Sequence, residues 1–144
     1  MFVSVTRLRI RSWRFLPAFA LLTLQTNRQV RAAAGFRAGS LLPDRHFTFW
    51  TLTLWDSAED MRAYITAGAH RVAMPKLKHW CDEASIVHWD QPDTTLPAWS
   101  EADARMRAEG RPSKVLHPTA AHLAMAYASP RLSRAASIQP DARA

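Results

Sequence analysis

The sequence predicts the α+β class: a β-α-β-β-α-β order whose four strands make one antiparallel sheet with helices on one face. Three observations carry that expectation. Residues 47–55, FTFWTLTLW, are free of charge on both faces, with Trp50, Leu52 and Leu54 on one side and Phe47, Phe49, Thr51, Thr53 and Trp55 on the other. A strand of that kind is covered on both sides. Directly after it, Asp56 or Ser57 can cap a helix, and Glu59 and Asp60 fall in the first turn, where the helix dipole favours acids. Residues 15–33 repeat apolar side chains at Phe15, Phe19, Leu22, Val30 and Ala33, the spacing of a helix lying on a sheet.

The elements follow in order. Strand one is predicted over 2–10 (FVSVTRLRI) and helix one over 15–33, with Pro17 suited to a first turn and Gly35 placed to end it. Strand two spans 35–42, and Pro43-Asp44 begins the turn into strand three at 46–55. Helix two covers 57–68, a short helix 70–80 and strand four 84–90; Pro75 should interrupt or start a helix. QPDTTLP then reads as a linker. Trp99 to Glu109 reads as a helix with Ala102 and Met106 inward, stopped by Gly110 and Pro112. Residues 129–144 have few large apolar groups and are expected to be disordered. The organisation is therefore one domain over 1–92, a helical extension or lid over 93–128 and a tail over 129–144. A four-stranded sheet with helices on one face leaves its other face bare. Strand three has no charge on either face, so face-to-face homodimerisation is the expected remedy.

Charge is concentrated at one end of the sequence. Residues 1–46 hold eight Arg against the single acid Asp44, while the remaining residues balance, which accounts for the net +7. Those arginines spread over two predicted strands and a helix without any nucleic-acid motif. They suit a solvated, substrate-steering or partner-facing surface better than a nucleic-acid interface. Lone Cys81, beside Trp80, reads as core packing rather than a nucleophile. It fits a reducing compartment, and a cytoplasmic location is expected. Arg-rich residues followed by FLPAFALLTL resemble a secretory signal. Arg28, Arg31 and the preceding strand-like segment favour an integral first helix instead, and the apolar run is too short to span a bilayer.

Candidate site residues cluster around strand three and the helices after it. Tyr64 and His70 are titratable groups near that junction, and Met74 lies one turn beyond His70. His70 could donate a proton, serve as an axial ligand, or simply cap a helix end; Met74 could line a ligand or fill core. The other histidines are scattered, with neither an HExxH pair nor a zinc spacing, so no metal site is expected. His122, in KVLHPTAAHLAMAY, lies on a helix opened by Pro118 and could fold over the cleft.

The segment RAAAGFRAGSLLPD with FTFWTLTLWDSAEDMRAYITAGAHRVAM resembles the dimeric α+β barrel superfamily of antibiotic-biosynthesis monooxygenases, on Gly35-Phe36, the Trp55-Asp56-Ser57 junction and the helix that follows. Within it, the chain is most similar to the spheroidene-monooxygenase-like and DUF3291-type branch, over residues 1–92. The resemblance implies a ferredoxin-like sandwich that pairs into a dimeric barrel, with a C-terminal helical extension added here. It also implies a monooxygenase-type oxidoreductase acting on an apolar or aromatic small molecule, either without a cofactor or linked to haem. For such an enzyme the expected cleft is lined by Phe36, Trp50, Trp55, Tyr64 and Met74, with His122 able to fold over it and His70 as the catalytic group. In the haem-degrading branch the cleft holds an Asn on strand one, a Trp in helix two and an axial His further along. Here Tyr64 matches the Trp position, Met74 the His position, and strand one has no Asn. The alternative on the same fold is a non-catalytic small-ligand-binding or assembly protein.

Overall fold

The computed structural model describes residues 1–142. Its elements are β1 (Phe2–Ile10), α1 (Leu16–Arg31), β2 (Phe36–Pro43), β3 (Thr48–Trp55), α2 (Ala58–Ile65), α3 (Gly68–Trp80), β4 (Cys81–Asp90), α4 (Trp99–Glu109), β5 (Arg111–Pro112), α5 (Ala120–Leu123) and β6 (Ala136–Ile138). The strands form one antiparallel sheet in the order β5-β4-β1-β3-β2-β6, so the central four have the ferredoxin-like order β4-β1-β3-β2.

Local chemistry accounts for the junctions. Gly35 takes φ +74°, and a β-carbon there would collide with the Asp60 carboxyl group. Glycine therefore serves both the backbone turn and the close approach of α2. Ser57 Oγ accepts the Asp60 N–H at 3.1 Å and donates to Asp60 Oδ2 at 2.7 Å, a side-chain cap that starts α2. Between β2 and β3 the Thr48 N–H returns to the Arg45 carbonyl, and His46 and Phe47 both have positive φ, 56° and 58°. This is the geometry of a type I′ turn, normally given to Asn-Gly. An ordinary residue in that region costs about 1–2 kcal/mol. Pro75 lies inside α3 and does not break it. It withholds one N–H from the exposed Arg71 turn, while Ala73 and Leu77 on the inward side keep the helix seated.

Two layers cover the sheet. Side chains directly opposite in the ladder project to the same face. Phe2, Ser4, Thr6 and Leu8 therefore share a face with Trp55, Thr53, Thr51 and Phe49, the face covered by α1, α2 and α3. Val3, Val5 and Arg7 share the other face with Leu54, Leu52 and Trp50. That second face is not bare. Ala102 and Met106 of α4 are fully buried against it, with Leu96, Trp99, Met125 and Tyr127 around them. The chain's own extension occupies the surface that motivated the expected dimer, so that motive is removed. Each fully buried Val or Leu there contributes about 1.5–3 kcal/mol, a gain that needs no partner.

The expected tail is a second correction. Leu132–Arg134 form a 3-10 turn and β6 pairs with Gly39–Leu41 of β2. Ile138 is buried beside Phe36 and Trp55, and Asp141 bonds Arg31 at 2.8 Å. One well-placed isoleucine and an ion pair suffice to order a segment whose composition is poor in apolar groups. The last two residues of the expected tail, 143 and 144, lie outside the described residues.

Candidate functional site

On the helix-covered face, a chain of rings crosses from β2 to α3. Phe36 meets Trp55 at 5.4 Å, Trp55 meets Tyr64 at 5.3 Å, and Tyr64 meets His70 at 4.9 Å. These contacts fall in the range where edge-to-face and offset aromatic pairs attract. Trp55 is wholly buried, and its indole N–H has no hydrogen-bond partner. Toward the sheet centre Thr6, Leu8, Phe49, Thr51, Ile86 and His88 are only half-buried, so helices and sheet are not fully closed over them.

His70 is held from three elements. Gln29 on α1 accepts the His70 N–H at 2.8 Å and donates its amide to the Tyr64 carbonyl at 3.0 Å and the Ala67 carbonyl at 2.8 Å. One glutamine thus caps the start of α3 and the end of α2, taking the place of the side-chain cap that Ala67 cannot provide. The His70 ring places Nδ1 3.2 Å from the Ile65 carbonyl. A carbonyl only accepts, so Nδ1 carries the proton and Nε2 keeps its lone pair. Burial lowers the His70 pKa, an effect the Ile65 hydrogen bond partly offsets. The imidazole is neutral at pH 7. Burial raises the pKa of Tyr64, whose hydroxyl donates to the Thr26 carbonyl at 3.4 Å, so it is a phenol and not a phenolate. Cys81 is buried and its thiol is pushed up to about 12, chiefly by burial and then by Asp82, which removes it as a nucleophile.

The structure brings Phe36, Trp55, Tyr64 and His70 together and leaves three predicted residues elsewhere. Trp50 is on the opposite face of the sheet, 5.4 Å from Tyr127 and 6.3 Å from Trp99. Period-two alternation from Trp55 places it there, because their separation is odd. Met74 is 43% exposed on the outer side of α3. His122 is buried on the far face, where Nδ1 accepts the Ala84 N–H at 3.2 Å.

Around His122 lies a charged cluster that the sequence did not announce. Glu83 accepts from Arg7 at 2.8 Å, Arg9 at 3.2 Å and Thr119 at 3.0 Å. Burial pushes the Glu83 pKa up, but the hydrogen bonds and charges of Arg7, Thr119 and Arg9 outweigh it and leave it lowered. Arg7 also sits over the Tyr127 ring at 4.6 Å. The space among Arg7, Glu83, His122 and Tyr127 is about 10 Å³, the size of one water. A surface hollow of about 480 Å³ is bounded by Asp90, Leu96 and Arg105. Neither space adjoins His70. No group of three or more His, Cys, Asp or Glu side chains among the described residues is placed to hold a metal ion. No helix among them is long and apolar enough to cross a membrane. Of these site neighbours, Gln29 carried no sequence signal, since a glutamine in an amphipathic helix reads as solvent-facing. Glu83 offered none either, since with Asp82 it precedes the strand predicted at 84–90 and reads as solvent-facing.

The strand order and the layer of α1, α2 and α3 over one face define a ferredoxin-like α+β protein. Its family is identified by the sequence match of residues 22–114 to the domain of unknown function DUF3291, and the chain belongs to that family. Among solved structures, it is similar to an antibiotic biosynthesis monooxygenase at TM-score 0.58 and 12% identity, covering 65% of this chain and 100% of that one. It is also similar to SnoaB, a cofactor-independent oxygenase from Streptomyces nogalater, at TM-score 0.53 and 15% identity, covering 67% and 97%. Rv0793 from Mycobacterium tuberculosis matches at TM-score 0.57 and 13% identity, covering 64% and 95%. No curated protein matches the chain. Likeness at these identities establishes the shared fold.

Proposed function

We propose that this protein is a monooxygenase-type oxidoreductase acting on an apolar or aromatic small molecule in the layer between the sheet and α1–α3. The observation that carries the reading is the ring chain Phe36, Trp55, Tyr64 and His70, which ends in a neutral imidazole with Nε2 unprotonated. In this reading the aromatic rings hold a flat substrate and His70 Nε2 takes an acidic substrate proton. The resulting anion is electron-rich enough to react with dioxygen. One oxygen atom enters the substrate, and the other leaves as water with two substrate hydrogens.

The haem-linked form of this reading fits the residues poorly. The Tyr64 hydroxyl is engaged with Thr26, Met74 points outward, and the β1 positions facing the helices include Ser4 and Thr6 but no Asn. The second reading, a non-catalytic ligand binder, draws on the use of both the His70 backbone N–H and Nδ1 to tie α1, α2 and α3 together.

The deciding experiment screens quinols and carotenoid-like polyenes for oxygen uptake, then compares His70→Ala. The enzyme reading expects turnover to fall roughly 10²–10⁴-fold with the fold retained. Full activity in a folded variant would reject it. A Soret band on haem titration that disappears in His70→Ala would redirect the reading to haem chemistry.

A further inference from the structure

We propose that the end of the molecule where β1 finishes rests on an anionic phospholipid bilayer, with Trp13 and Phe47 entering the headgroup layer. Backbone and side-chain contacts make this end one continuous surface. The Ile10 N–H donates to the Phe47 carbonyl, and Arg11 donates from its backbone to Trp80 and from Nε to the His79 carbonyl. His79 meets His117 at 5.6 Å, and the Leu116 N–H donates to the Lys78 carbonyl. The Arg131 N–H reaches Asp44 at 3.2 Å, which brings Leu132 to the same end.

Two properties coincide there. Trp13, Phe47, Leu116 and Leu132 are exposed by 67%, 43%, 55% and 46%. Around them Arg11, Arg14, Arg45, Lys78, Lys114 and Arg134 are all exposed. The acids of this end are turned inward: the side chains of Asp44, Asp82 and Glu83 are 9%, 14% and 5% exposed and face Arg131, Arg9 and Arg7. At the other end of the sheet, where Phe2 lies opposite both Trp55 and Asp90, Asp90 and Asp93 are exposed, and Asp56 is paired with Arg37 at 2.6 Å. The end where β1 finishes therefore offers its cations to a negative plane with its own acids turned away. Phe47 is also held at a turn position that a bulky side chain rarely adopts, so its exposure is imposed by the backbone. Aromatic and aliphatic tips within a cationic ring match the interfacial region of an anionic bilayer. A nucleic acid would use the cations and leave the apolar tips unexplained.

The test is co-sedimentation of the full chain with phosphatidylcholine vesicles containing about 30% phosphatidylglycerol, against vesicles of phosphatidylcholine alone. Expected are binding at least about tenfold stronger to the anionic vesicles and a similar loss at high salt. Arg14→Glu with Arg45→Glu should lose about tenfold in binding, and Trp13→Ser should weaken what high salt leaves. Arg62→Glu, on α2, should change little. Circular dichroism checks that each variant is folded. Equal binding to both vesicle types, no binding to either, an unaffected double variant, or binding to a short RNA in place of vesicles would overturn the proposal.

Discussion

His70 has a measurable signature beyond turnover. Burial lowers its pKa below the ordinary 6.5, and burial with the Arg111 charge does the same for His88. The unfolded chain then binds more protons than the folded one in the window just below pH 6.5. Stability is full above that value and declines as pH falls through the window. His70→Asn keeps a donor for the Ile65 carbonyl but cannot titrate. Urea midpoints measured from pH 7.5 to 5 should therefore fall less in the variant than in the parent. Equal falls would mean that His70 is not held neutral by the fold. Tyr64 and His70 were legible because helical spacing places them near the Trp55 junction. Gln29, which orients His70, was not, because its role depends on how α1 crosses α2 and α3.

At the scale of elements, α4 shows what a sequence pattern conveys and what it omits. Its limits and its inward residues Ala102 and Met106 follow from the Gly110 and Pro112 stop and the helical period. The surface it covers does not, since an amphipathic stripe states that something is buried but not against what. Trp50 belongs to this interface, between Trp99 and Tyr127, with its indole N–H unpaired. Trp50→Ala removes a large buried aromatic and should cost roughly 3–5 kcal/mol in chemical denaturation. Trp50→Phe retains ring contacts and removes the unpaired donor, so it should cost clearly less. An unchanged midpoint for Trp50→Ala would mean that α4 does not pack on β3. β6 was illegible for a related reason, because three residues carry no period and pair only when β2 offers an open edge.

For the whole molecule, the covered sheet predicts a particle with the mass of one chain. Light scattering at micromolar concentration should report that mass, and truncation after residue 92 should cause association by baring Val5, Trp50 and Leu52. A stable dimer of the full chain that loses no stability on truncation would contradict the assignment of α4 as the cover. The order of assembly follows from the same arrangement. During synthesis the face bearing Val3, Val5, Leu52 and Leu54 is finished once β4 has emerged, yet its cover comes only with residues 99–127. Over that interval a nascent chain presents a greasy plane, and the pairing of β6 with β2 must wait longer still. Such long-range closures slow folding and expose chains to aggregation. The second face can therefore close only once the last third of the chain has been made.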